Sequence, residues 1–386
     1  MNRPVSRAVP ILVVCSLAAS MFGGAGNASA APSATTAAGS QARTIVSIVR
    51  QVMDQNHLKS VILSVRVGKH NVITTAIGDS MTGVPATTRM LFRNGAVAIS
   101  YLTTVLLKLV DKRIVSLDDP ISRWLPGLPQ SNKITLGMLA ASRSGYADYV
   151  QSHDFVNALT ANVFRAWSRQ ELIRIGTSQP LLFAPGTNWG YSHTGFVVLG
   201  EALEKATGMP IARLVKEYVL DPLGLHDTKT DCTATIQDPL HAFTSERGAY
   251  EDSTFWDPSW TLGCGLVMTT NISDLVKSAM AIGSGSLLSK RSHELQIART
   301  SRLTPPDGPP VFYGMGIFDA NSWLYQNPFF SGNAAVMAIL PAKNITIAVA
   351  ATVEPQGDTS VNSSELIYQK IGAYLTPDHA PPQAGG

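Results

Sequence analysis

The sequence predicts an α/β (α+β) fold: an antiparallel sheet built from both chain ends, flanked by helices, with a helix-rich subdomain inserted between the two strand groups. Three observations predict it. Strand-like alternation occupies 61–77, helical spacing dominates the middle of the chain, and strand patterns return only after residue 310. Strands at both ends with helices between them pair most simply as one sheet.

Taken in order, residues 61–67 alternate apolar and polar side chains, and 72–77 follow after a short turn; both are expected as strands. Apolar residues at helical spacing predict a helix over 97–110, and Asp118-Asp119-Pro120 opens a new segment. Helical periodicity recurs at 170–176, 195–207 and 211–220. Segments 313–318, 322–325, 335–340 and 345–351 read as a strand meander, and a helix over 363–375 closes the domain. No internal repeat is visible. The domain is thus expected over 45–375, with its helix-rich insertion at about 100–310. Residues 31–44, rich in Ala, Ser and Thr, are expected as a flexible leader, and 376–386, rich in Pro and Gly, as a disordered tail.

Of the 386 residues, 45% are hydrophobic and 15% charged, enough apolar material for a sizeable core. The formal net charge is +3, of which Arg3 and Arg7 supply two. No basic run remains that would neutralise phosphates, which argues against a nucleic-acid partner.

Those two arginines head a secretory signal pattern over 1–30. An apolar stretch at 11–22 follows, and Ala28-Ser29-Ala30 sets expected cleavage after Ala30. The apolar run is shorter than the roughly 20 residues that span a bilayer. Val14 precedes Cys15 where a lipoprotein signal would carry a small residue, so export without a lipid anchor is expected. The mature chain keeps Cys232 and Cys264; an oxidising compartment permits their disulfide, and two buried thiols fit the same pattern.

Residues 91–126 read LFRNGAVAISYLTTVLLKLVDKRIVSLDDPISRWLP. This segment resembles the nucleophile region of the class C β-lactamase and D-alanyl-D-alanine carboxypeptidase family, which includes related esterases. Members carry Phe-Arg-x-Gly, then Ser-x-x-Lys opening a helix, then LDDP and LP. Further matches keep the order: ITLGMLAASRSG at 134–145, Ala184-Pro185-Gly186 followed by Tyr191-Ser192-His193, and LGCGLVMT at 262–269. The resemblance covers about 45–375.

It implies acyl transfer by a serine nucleophile with a lysine one helical turn on. It also implies a Tyr-x-Asn loop, a Lys/His-x-Gly strand for the substrate carboxylate, and two backbone N–H groups as an oxyanion hole. This chain departs at most of those positions. Ala96 stands for the serine and Ile99 for the lysine, and no Ser-x-x-Lys occurs anywhere in the sequence. Tyr191 is kept, His193 replaces the asparagine, and the third motif falls on Gln326-Asn327-Pro328. Proline there removes a backbone donor and is expected to disturb strand pairing.

No functional catalytic residue is therefore expected, and the degenerate site comprises Ala96, Ile99, Tyr191, His193, Gln326 and Pro328. Tyr191, His193, Trp256 and Trp260 are the candidate ligand-binding side chains; against that, Tyr191 reads as a packing residue that anchors its loop, His193 as a satisfied hydrogen-bonding residue, and Trp256 and Trp260 equally as loop packing. Ser100, one turn after Ala96, is the residue a displaced nucleophile would use, and Ser142 and Ser144 read as turn caps. No G-x-S-x-G elbow, HExxH or paired-cysteine spacing is present, so no cofactor or metal is expected. Two functions fit. One is an exported, catalytically inactive relative that binds a peptidoglycan-like peptide or another small ligand at the cell envelope. The other is a serine hydrolase of carboxypeptidase, β-lactamase or esterase type that uses Tyr191, His193 or Ser100 instead. The sequence leaves the oligomeric state open.

Overall fold

The computed structural model describes residues 34–230, 232–304 and 310–382. The expected signal peptide, 1–30, lies outside the described residues. Among the described residues, an antiparallel sheet of ten strands forms the centre. From one edge it runs Val84–Pro85, His70–Met81, Leu58–Val67, Ile345–Val353, Asn333–Leu340, Trp323–Gln326, Phe318–Ala320, Val311–Tyr313 and Ser301–Arg302. Phe329–Phe330 adds a short pairing to Asn333–Leu340. Both chain ends thus meet in mid-sheet, where Leu58–Val67 pairs with Ile345–Val353.

Period-two alternation divides the core in two. Ala335, Met337 and Ile339 face one hydrophobic cluster, and Val336, Ala338 and Leu340 face the other. The first cluster joins the sheet to helices Val97–Asp111, His193–Thr207 and Ile272–Ser284. The second is closed by the terminal helices Ala34–Asn56 and Ser363–Leu375, through Ile45, Val49, Val52, Ile367 and Ile371. Strands covered on both faces read as continuous apolar runs, as Ile345–Val353 does.

Four expectations need correction. Residues 34–44 of the expected leader are helical, because alanine is the strongest helix former and Ile45, Val49 and Val52 give the helix a buried stripe. The expected disordered tail is ordered through Pro382. The carbonyls of His379 and Ala380 accept from Trp323 Nε1 at 2.7 Å and Asn321 Nδ2 at 3.0 Å. The strand expected at 313–318 is two strands, Val311–Tyr313 and Phe318–Ala320. The turn between them contains Gly316 at φ +70°, where a Cβ would stand 2.6 Å from Thr103 Oγ1. Finally, the helix expected over 211–220 is Ile211–Val215 followed by a π turn at Lys216–Leu220.

Candidate functional site

The site is built on the N-terminus of helix Val97–Asp111. A two-residue strand, Phe92–Arg93, pairs with Thr269–Thr270 and delivers the chain to it. Arg93 is buried and its guanidinium donates to the carbonyls of Thr233 and Ala234 at 2.9 and 2.8 Å. Burial lowers its pKa to about 10, with Asp257 opposing the shift. Gly95 follows at φ +43°; a Cβ there would lie 2.6 Å from Pro328 Cβ, so only glycine lets the chain pass this strand. Ala96 is then the N-cap residue and makes no side-chain cap.

Ala96 lines a cleft of about 350 Å³ between this helix end, the Tyr191 loop and the end of strand Trp323–Gln326. Tyr191, His193, Trp260, Gln326 and Pro328 line it too, so the matched motifs converge although they lie far apart in sequence. Three candidates stand elsewhere. Ile99 is fully buried in the helical core. Ser100 is also fully buried, and its hydroxyl donates to the Gly316 carbonyl at 2.7 Å. Trp256 lies outside this cleft, in a neighbouring hollow with Arg93 and Asp257, its ring beneath Arg247 at 5.2 Å.

His193 opens helix His193–Thr207, whose N-cap Ser192 accepts from Gly195 N at 3.4 Å. Its Nδ1 lies 2.9 Å from Asp148 Oδ2. Asp148 was not among the residues singled out from sequence; only the fold brings the two together. Tyr191 meets His193 edge to face, with ring centroids 5.2 Å apart, and stacks on Phe318 at 6.4 Å. Burial pushes the Tyr191 phenol well above its ordinary value, and the charge of Asp148 adds to the shift. That phenol is a hydrogen-bond donor, not a phenolate, at neutral pH. Trp260 packs edge to face on Phe330 at 5.8 Å, completing an aromatic wall.

At the third motif the ladder breaks and resumes. Gln326 pairs with Met337, and Phe329 with Ala334, so the register is kept across Asn327 and Pro328. Proline's missing donor explains the gap, while its carbonyl still accepts from Ala335 N at 3.0 Å. Gln326 Nε2 donates to the Gly316 carbonyl at 2.7 Å. Its Oε1 is buried and makes no well-formed hydrogen bond, nor do the Ser142 and Tyr313 hydroxyls, although Ser142 and Gln326 both lie close enough to act on the Tyr313 phenol. Ser144 Oγ accepts from Tyr146 N at 3.3 Å, the turn role expected of it; Ser142 makes no such bond.

Cys232 and Cys264 form a disulfide with Cα atoms 4.9 Å apart, and both residues are exposed, not buried thiols. Cys264 lies two residues beyond Leu262 in the cleft wall, and its carbonyl accepts from Arg169 at 2.9 Å. Arg169 also pairs with Glu201 and Glu204, at 3.1 and 2.6 Å. Among the described residues no cluster of His, Cys, Asp and Glu would hold a metal ion, and no helix is long and apolar enough to cross a membrane.

Comparisons with known proteins agree with this geometry. Esterase EstB of Burkholderia gladioli is 32% identical over 39% of this chain, and penicillin-binding protein 4* of Bacillus subtilis 29% identical over 38%. These matches span 41% and 32% of the relatives' own lengths. The D-alanyl-D-alanine-carboxypeptidase/endopeptidase AmpH of Escherichia coli is 27% identical over 65% of this chain and 68% of its own. In fold, D-amino acid amidase from Ochrobactrum anthropi SV3 superposes with a TM-score of 0.76 at 20% identity, covering 88% of this chain and 99% of that one. The family described as Beta-lactamase matches residues 45–368. With its sheet, its helix-borne site and that match over most of its length, this chain belongs to the beta-lactamase family of serine hydrolase-related proteins.

Proposed function

We propose that this chain is an exported, non-catalytic member of the family that binds a peptidoglycan-like peptide or other small ligand of the cell envelope in its cleft. One observation carries the reading. The helix end that lines the cleft presents the Ala96 methyl where the family resemblance places a nucleophilic hydroxyl. Ile99 supports it, since the position of the activating lysine is filled by an apolar side chain with no exposure. Ser100 offers no replacement, because its hydroxyl is buried and occupied by Gly316. Export rests on the signal pattern over 1–30.

The test is covalent labelling. A fluorescent penicillin should leave no adduct that survives denaturation, read by gel and intact mass. A stable adduct mapped to any serine would overturn the reading. A second reading draws on one specific observation: His193, oriented by Asp148, lines the cleft beside Tyr191. A histidine so held can serve as a general base for water attack on an ester. Ester hydrolysis that vanishes in His193→Ala would favour this reading over the first.

A further inference from the structure

We infer that the cleft takes an uncharged ligand, with an aromatic or branched apolar body and an amide N–H at its inner end, and turns carboxylates away. This rests on the binding reading above and narrows it to the small uncharged ligand, setting aside a peptide that enters by a free carboxylate.

The walls come first. Tyr191, Trp260, Phe318 and Phe330 line the cleft, and aromatic rings of this kind gain most from burying flat or branched apolar groups. Charge comes second. Among the described residues, those lining the cleft include no lysine or arginine. His193 and Tyr191 are its ionisable members; the first is already paired with the Asp148 carboxylate. A carboxylate entering here would shed its water and meet no free positive group, which is among the costliest transfers available to a ligand.

Polar satisfaction comes third. Gln326 lines the cleft, has no exposure and stands where the family motif carries its carboxylate-binding cation. Its orientation is set, because Nε2 is held by the Gly316 carbonyl at 2.7 Å. The other end of the amide, Oε1, is therefore an acceptor, and it is buried without a partner. Tyr313 lies beside both Ser142 and Gln326, and both side chains act on its phenol through hydrogen bonding; none of these contacts has the geometry that would satisfy Gln326 Oε1. A buried acceptor in this state favours a ligand that brings a donor and penalises one that brings an anionic oxygen, which would face a second acceptor. An amide N–H meets Gln326 Oε1 without adding charge.

Three matched probes test this on the full mature chain: phenylacetamide, methyl phenylacetate and phenylacetate. They share one aromatic body and differ as neutral donor, neutral non-donor and anion. Ligand-observed NMR titration should rank the amide first, the ester roughly tenfold weaker, and the carboxylate roughly a hundredfold weaker. Gln326→Lys should reverse the order of amide and carboxylate. Gln326→Leu, which adds no charge, should erase the difference between amide and ester while keeping aromatic binding. Both variants are checked for folding by circular dichroism, and the leucine variant decides if the lysine variant does not fold. Carboxylate binding equal to or tighter than amide binding in the native protein would overturn the inference, as would no binding by any probe. Release of phenylacetate from amide or ester would instead overturn the non-catalytic reading, and the order of affinities would still judge the ligand class.

Discussion

Asp148 Oδ2 and His193 Nδ1 stand 2.9 Å apart at the edge of the cleft, joined across 45 residues of sequence. The carboxylate fixes the ring where it meets Tyr191 edge to face. Asp148 is largely buried, so deleting its side chain strands an imidazole nitrogen in a poorly hydrated place. Asp148→Ala should cost about 1–3 kcal/mol in urea unfolding, and Asp148→Asn, which still accepts a hydrogen bond, clearly less. Equal losses in the two variants would mean that the pair contributes only packing.

Restoring the family dyad should not restore turnover. Ala96→Ser places a hydroxyl in the cleft, but Ile99→Lys puts an ammonium at a position with no exposure inside the hydrophobic core. Such a charge costs the fold more than about 3 kcal/mol, or is shed by a fall in the lysine pKa. Gln326 still offers a substrate carboxylate no cation. Hydrolysis of a chromogenic cephalosporin by the folded double variant should stay at background. Multiple turnovers at a rate ordinary for such enzymes would show that the remainder of the site is competent.

Removing the Cys232–Cys264 disulfide, which spans 32 residues, should lower stability by about 3–4 kcal/mol in the chain-entropy picture. Both cysteines are exposed, so mild reductant should reach the bond without global unfolding. The check is thermal unfolding with and without reductant, beside the Cys232→Ser/Cys264→Ser double variant. A melting temperature unmoved by either treatment would mean that the hydrogen bonds of Arg93 and Arg169 hold these loops unaided.

Glu365 supplies a pH dependence. Burial raises its carboxyl pKa, and the hydrogen bond from Asn327 Nδ2, 2.9 Å away, opposes the rise only in part. With the folded pKa above the unfolded one, the native state holds the proton more tightly. The contribution to stability is therefore full below the unfolded carboxylate pKa and is lost as pH rises through the folded one. Glu365→Gln keeps an acceptor for Asn327 and removes the charge. Its melting temperature relative to the native protein should therefore be higher at pH 7.5 than at pH 4. A difference that is flat or of opposite slope would refute the assignment.

Much of this was legible because long strands and long helices repeat their pattern many times. Helix Val97–Asp111 and strand Ile345–Val353 are long, largely apolar stretches with clear spacing. The convergence of Ala96, Tyr191, His193 and Gln326 followed from ordered motifs. What escaped the sequence depends on contacts made far along the chain. Asp148 becomes a site residue only through His193, and Trp256 lies outside the cleft with Arg247 over its ring. The break inside 313–318 comes from the close passage of Gly316 against Thr103, which no local pattern encodes. At the Ala-rich start, composition suggests a flexible segment, and the buried stripe of Ile45, Val49 and Val52 outweighs it.

The meeting of both chain ends in mid-sheet has a consequence for biosynthesis. Leu58 and Val353 are partners, yet about 300 residues must be made between them. At roughly 5–20 residues per second, the first hairpin waits about 15–60 s for the strand that completes it. For that time one long side of Leu58–Val67 has unpaired peptide groups, a template for any neighbouring nascent chain in the same condition. Recombinant yield should therefore be governed by how many half-made chains coexist, so that slower induction, at unchanged final stability, gives more soluble protein.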